Sequence, residues 1–147
     1  MSLPPELAAL YQRVILEHNA RPRNHGPLAS PTHEARAHNP LCGDTVTLRL
    51  RLEGGRIAEA RFEGEGCALC RASASLLTLA VAGCTPEEAA SISAELDRLL
   101  SRGPENAVAD AARLGDLAAL QGVRDVPSRR RCATLPWEAL GAALRAV

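Results

Sequence analysis

Residues 45–64 read TVTLRLRLEGGRIAEARFEG, and this stretch decides the fold. Val46, Leu48, Leu50 and Leu52 alternate with Thr47, Arg49 and Arg51. A period of two turns one set of side chains to a core and the other to water. Gly54-Gly55 supplies a tight turn, and a second strand follows over residues 56–63. The two strands pair antiparallel in a small sheet whose arginine face is solvated. A third strand is drawn from residues 33–38.

Outward from this hairpin the pattern is helical. Upstream, ELAALYQRVILEHN (6–19) places Leu7, Leu10, Tyr11, Val14 and His18 at helical spacing. Between them, ARPRNHGPLASPTHEARAHNP (20–40) has no period and is dense in Pro, Asn, Gly and His. It reads as a long, mobile surface loop, the kind that compact domains keep for function. Downstream, ALCRASASLLTLAVAG (68–83) is a helix stopped by Gly83. Thr85-Pro86-Glu87-Glu88 opens the next with an N-cap, a first-turn proline and a capping-box glutamate, and that helix runs to about Arg102. A weaker helix over 108–121 is interrupted by Gly115, and a last one covers 134–146. The class is therefore α+β, a three-stranded antiparallel sheet packed by about five helices. With 147 residues and no internal repeat, residues 1–147 are expected to form a single domain.

Composition narrows the chemistry. All 17 basic residues are arginines, so Schiff-base lysines and a Walker-type phosphate lysine are excluded. A formal net charge of zero argues against nucleic acid as a partner. Tyr11, Phe62 and Trp137 are the only aromatics, too few for a base-stacking platform. No apolar run reaches bilayer length and no signal-peptide pattern opens the chain, so the expectation is a cytoplasmic protein without a membrane partner.

Five cysteines in such a chain point to metal or thiol chemistry rather than disulfide scaffolding. Cys42 lies in NPLCGD (39–44), in the loop entering the first strand of the hairpin. Cys67 lies in GEGCALCRASAS (64–75), where the second strand passes into a helix. Cys132 lies in SRRRCATLPW (128–137), at the expected start of the last helix. All three sit at element ends, where unpaired N–H groups and helix dipoles lower a thiol's pKa. Hairpin geometry makes Cys42 and Cys67 neighbours. Asp44 follows Cys42 across Gly43, whose freedom lets both side chains turn to one ion. Three thiolates and a carboxylate suit zinc or an iron–sulfur unit, with Arg71 and Arg129-Arg130-Arg131 placed to offset the negative charge.

Cys70 lies one helical turn beyond Cys67, so it can reach the site or point into helix packing; the residues leave both open. Cys84 reads as a small packing residue. His18, on the apolar face of the first helix, reads as packing, and His25, His33 and His38 show no ligand spacing.

NPLCGD, FEGEGCALCRASAS (62–75), LQGV (120–123) with SRRRCATLPWEAL (128–140), and YQRVILEHNARPRNHG (11–26) resemble, in order and over nearly the whole chain, the SufU/IscU/NifU N-terminal family of iron–sulfur cluster assembly proteins. The resemblance implies a SufE/NifU-like fold with a metal site at one end. It carries the family's functional cysteines onto Cys42, Cys67 and Cys132, and its metal-site aspartate onto Asp44. Arg131 stands where IscU-type scaffolds carry a histidine, and DVPSRRR (125–131) stands where they carry a chaperone-binding motif. The long segment between Cys67 and Cys132, with GDLAALQGV (115–123) inside it, is similar to the SufU branch. SufU relatives usually have serine at the position of Cys70.

For a SufU-type protein the resemblance implies zinc as cofactor and a cysteine desulfurase of the SufS/IscS kind as partner. It further implies Cys42 as the acceptor of persulfide sulfur, and a downstream cluster scaffold or apo iron–sulfur proteins as recipients. Zinc-dependent sulfurtransferase activity would follow. The alternative within the family is a scaffold that assembles a [2Fe-2S] cluster, or binds iron, on the same cysteines. Two readings of other classes are a structural zinc module and a thiol–disulfide oxidoreductase cycling Cys67 with Cys70.

Overall fold

A computed structural model of the chain describes residues 5–101, 114–123 and 126–145. It contains a three-stranded antiparallel sheet in the order β1 (His33–His38), β2 (Thr45–Glu53), β3 (Arg56–Glu65). Around it stand α1 (Pro5–Ala20), α2 (Ala68–Val81), α3 (Pro86–Ser101), a 3-10 helix over Gly115–Val123 and α4 (Pro127–Arg145). The α+β class read from the sequence is the class observed.

The alternation of β2 becomes a two-faced sheet. Val46, Leu48 and Leu50 are buried, opposite Gly64, Phe62 and Ala60 of β3. On the other face Arg49 bridges Glu34 of β1 (2.6 Å) and Glu63 of β3, while Arg51 reaches Glu59 at 3.1 Å. Half-exposed pairs of this kind each contribute little, but they join all three strands. The helices cover the apolar face. Helix α4 packs on β1 and β2, and α2 packs on β3 and α4; α1 and the 3-10 helix lie against α2.

Local signals explain the boundaries. Thr85 Oγ1 accepts from the Glu88 N–H (3.1 Å), and Glu88 Oε1 accepts from the Thr85 N–H (2.8 Å). This is the capping box expected at α3. The 3-10 helix takes the place of the expected 108–121 helix and begins at Gly115, whose φ of +59° breaks the α-helical path; residues 108–113 lie outside the described residues.

Two expectations change. The 20–40 stretch is strapped to the core rather than loose. The Arg23 N–H donates to Ser75 Oγ (2.7 Å), the Gly26 N–H to the Phe62 carbonyl (2.9 Å), and the Thr32 N–H to the Leu50 carbonyl (2.8 Å). Leu28 is buried. The last helix starts at Pro127, not at residue 134. Pro127 occupies the first-turn position where a missing N–H is harmless. The helix then continues through Pro136, which lies buried inside it. Among the described residues no helix is long and apolar enough to cross a membrane.

Candidate metal centre

The site forms where three elements end together. Asn39, Pro40, Leu41, Cys42, Gly43 and Asp44 link β1 to β2 as a tight loop. The Asn39 N–H donates to the Asp44 carbonyl (2.9 Å), the Gly43 N–H to the Asn39 carbonyl (2.8 Å), and Asn39 Oδ1 accepts from the Leu41 N–H (3.1 Å). Asn39 is buried and holds the loop from inside. Sequence reasoning missed this role, although an Asn-Pro step is a turn signal. Gly43 takes φ +78°, as a left-handed position in the loop requires.

The β2–β3 register brings Thr45 opposite Glu65, so Asp44 and Cys67 meet just beyond the sheet. The Cys67 N–H donates to Asp44 Oδ1 at 3.3 Å, which ties the end of β3 to the start of β2. Cys67 is the N-cap of α2, and its Sγ accepts from the Cys70 N–H at 3.4 Å. Cys132 enters from α4. Its neighbour Ala133 is tied to α2 by the Ser73 hydroxyl, which donates to the Ala133 carbonyl (2.5 Å) and accepts from Trp137 Nε1 (3.2 Å). Ser73 and Trp137 are therefore positioning residues of the site, another feature the sequence did not single out.

Donor atoms of Cys42, Asp44 and Cys132 all lie within 4.8 Å of one another. Cys67 is not one of the three that converge, although it acts electrostatically on Cys132. Cys42 and Cys67 are exposed, whereas Asp44 and Cys132 are buried. Asp44 Oδ2 is buried and has no hydrogen-bond partner. A buried carboxylate oxygen without a donor is costly unless a cation lies against it. Two converging thiols, a third alongside and this oxygen make a donor set that fits a soft or borderline divalent ion.

Cys132 departs from expectation. It lies in the second turn of α4 rather than at a helix end, and its thiol donates to the Ser128 carbonyl (3.6 Å). Burial pushes its pKa up to about 12, reinforced by Cys67, Asp44 and Cys42. Without an ion this thiol stays protonated, so its conversion to a ligand is coupled to metal binding.

Cys70 is buried, and its pKa is driven up first by burial and then by the charges of Asp44, Cys67, Cys132 and Cys42. A Cβ on Gly66 would come within 3.2 Å of the Cys70 Sγ and 3.4 Å of the Asp44 Cγ, so both crowd the bare side of this glycine. Arg131 pairs through Nε with Glu138 at 3.1 Å. Cys84 lies outside the site, its Sγ donating to the Ala80 carbonyl at 3.5 Å. His18 is buried with Nδ1 2.7 Å from Ser75 Oγ, a satisfied packing residue as expected. His25 stacks edge-on against Phe62 with ring centroids 5.1 Å apart.

Comparison with known proteins agrees with this architecture. The NifU-like N-terminal domain family matches residues 10–144. The zinc-dependent sulfurtransferase SufU of Bacillus subtilis (strain 168) is 42% identical, over 95% of this chain and 92% of its own. The iron–sulfur cluster assembly scaffold protein IscU of Streptococcus pyogenes serotype M1 is 35% identical, over 95% and 86%. The crystal structure of the N-terminal part of a NifU-like protein from Brucella abortus superposes with a TM-score of 0.78 at 29% identity, covering 92% of each chain. With the family model matching residues 10–144 and these relatives covering nearly the whole chain, the chain belongs to the NifU-like N-terminal domain family.

Proposed function

We propose that this chain accepts sulfur in iron–sulfur cluster assembly, with Cys42 as the acceptor and a zinc ion held by Cys42, Asp44, Cys67 and Cys132. The unpartnered, buried Oδ2 of Asp44 beside the Cys42 and Cys132 thiols carries the reading. Zinc bound by such donors holds its cysteines as thiolates at neutral pH. Cys42 then has the two properties an acceptor needs, an exposed position on a hairpin tip and an anionic sulfur.

The donor is a cysteine desulfurase carrying a persulfide. The Cys42 thiolate attacks the terminal sulfur, and a new S–S bond forms at Cys42 Sγ. The donor's S–S bond breaks, its cysteine leaves as the thiolate, and no external oxidant is consumed. Leu41 is 93% exposed immediately beside Cys42, which gives the tip an apolar contact for the donor. Cys67, Cys132 and Asp44 are the residues that would hold the ion. The acquired sulfur passes on to a cluster scaffold or to apo iron–sulfur proteins, which makes the chain a zinc-dependent sulfurtransferase.

The test is metal content and persulfide mass on protein purified without oxygen, alone and with desulfurase plus cysteine. One zinc per chain, and a persulfide on Cys42 only when the desulfurase is present, is the expected result. Persulfide formation surviving in Cys42→Ala would overturn the assignment. The further buried thiol of Cys70 favours a second reading, a scaffold building a [2Fe-2S] cluster. Iron with acid-labile sulfide in place of zinc would select it.

A further inference from the structure

The two outer edges of the sheet differ. The edge of β3 is closed at its middle: the Gly26 N–H donates to the Phe62 carbonyl (2.9 Å), and the Phe62 N–H donates to the Asn24 carbonyl (3.1 Å). The edge of β1 is open. The Asn39 N–H donates to the Asp44 carbonyl at 2.9 Å, and bonded pairs alternate from there. Ala37, Ala35 and His33 therefore turn their backbone groups to β2, and Glu34 and Arg36 turn theirs outward. Among the described residues no backbone group meets Glu34 or Arg36 on that side. Such an edge is a template for one more strand. Glu34 pairs with Arg49 at 2.6 Å, whereas Arg36 is exposed and has no ion pair among the described residues. Beside the edge runs an open groove of about 510 Å³, bounded by Arg36, Ala37 and His38 of β1 and by Asp97, Glu138 and Gly141.

The edge is complementary to itself. When two copies of β1 lie antiparallel about a two-fold axis at Ala35, Glu34 stands opposite the partner's Arg36, and Arg36 opposite the partner's Glu34. Both pairs fall at outward-pointing positions, so each exchanges its two N–H···O bonds. Their side chains lie on the polar face, where they extend the Glu63–Arg49–Glu34 row by one more cation. Opposite charges facing across strands stabilise a pair and like charges oppose it. The neighbouring registers set Arg36 against Arg36 or Glu34 against Glu34, so charge selects this one alignment. On the other face the partner's His33 stands opposite Ala37, at the groove that carries Asp97 and Glu138. The groove borders only the 36–38 half of β1, so the two grooves lie on opposite sides of the axis and each receives one His33. We propose that a second copy of this chain occupies the β1 edge, forming a symmetric dimer in which the two three-stranded sheets become one. This inference stands on β1 alone and does not depend on the metal-site reading above.

Sedimentation velocity on the full chain tests it, from about 1 μM to about 1 mM. Reductant is present throughout, and the series is run with and without a metal chelator, because exposed Cys42 could bridge two copies through a disulfide or an ion. The mass is expected to rise with concentration from 15.5 kDa to twice that value, with or without the chelator. Arg36→Glu and Glu34→Arg each set like charges opposite one another and are expected to weaken association at least about tenfold. Mixing these two variants restores both Glu–Arg pairs and should recover most of the loss as a heterodimer. Arg36→Pro removes an outward N–H without touching the β1–β2 ladder; it should weaken association as well, and it serves if Glu34→Arg does not fold. Equal association of the natural chain and Arg36→Glu, a mixture no tighter than its parts, or a dimer lost on adding chelator would each overturn the proposal. A chain that stays monomeric across the whole range would overturn it too, and leave the edge to a strand of another protein.

Discussion

The Cys67 N–H donates to Asp44 Oδ1 at 3.3 Å while Asp44 Oδ2, on the same carboxylate, is buried with no partner. One oxygen ties the N-terminus of α2 to the start of β2; the other has no donor. The carboxylate is thus half structural and half unsatisfied, and the two halves can be separated by substitution.

Asp44→Asn keeps an acceptor for the Cys67 N–H and removes the buried charge. In the metal-free protein this is expected to be mildly stabilising, by less than about 1 kcal/mol, because a buried charge is exchanged for a neutral amide whose N–H groups still lack a partner. Zinc affinity should move the other way, falling at least about tenfold. Urea denaturation of the apo form and a zinc competition titration read the two effects. Loss of apo stability together with unchanged affinity would show that the carboxylate is purely structural.

The approach of the hairpin to α2 depends on Gly64. It takes φ +144°, and a Cβ there would lie 2.0 Å from the Thr45 carbonyl oxygen. That atom is backbone inside the β2–β3 ladder and cannot yield. Gly64→Ala is expected to cost more than about 3 kcal/mol, seen as a large drop in urea midpoint. Gly66→Ala meets the Cys70 Sγ at 3.2 Å, a side chain that can shift. It should cost about 1–2 kcal/mol and chiefly disturb metal affinity. Equal losses at the two positions would contradict the assigned contacts.

What was legible in the sequence follows the strength of local signals. The β2–β3 hairpin, the 33–38 strand and the capping box of α3 each rest on neighbours within a few residues, and all three stand in the structure. The same hairpin logic set Cys42 beside Cys67; the structure ties Asp44 to Cys67 and brings Cys42 and Asp44 together with Cys132. The start of α4 was hidden because Arg129, Arg130 and Arg131 carry no apolar period and Pro136 reads as a boundary. Its consequence was real: Cys132 owes its raised pKa to burial in a helix interior, which no terminus argument foresees. The strapped 20–40 segment was illegible for another reason. Its anchors, Ser75, Thr78, Phe62 and Leu50, are distant in sequence and bond mainly to backbone.

Ser73 links the two helices that deliver Cys67 and Cys132. Replacing it by alanine strips the acceptor from Trp137 Nε1 and the donor from the Ala133 carbonyl. A loss of about 1–3 kcal/mol is expected, with faster alkylation of Cys132 in the apo-protein as α4 loosens against α2. Trp137 is the only tryptophan, so its fluorescence reports on this junction alone. An unchanged emission spectrum with unchanged stability would mean that packing, not the hydroxyl, fixes the junction.

His18 supplies a pH test away from the thiols. Burial between α1 and α2 holds its pKa below the ordinary 6.5, aided by the Arg23 charge and opposed by Asp116 and Glu17. Ser75 Oγ already accepts from the Arg23 N–H, which leaves its hydroxyl proton for Nδ1 of a neutral ring. The unfolded chain therefore takes up the proton first as pH falls. Stability from this group is present above pH 6.5 and is lost as the pH drops below that value toward the lowered folded-state pKa. Urea midpoints measured from about pH 7 down to about pH 5 should decline, and the decline should be shallower in His18→Gln, which cannot titrate. Parallel slopes for the two chains would place the acid sensitivity elsewhere and show that His18 is protonated at no cost to the fold.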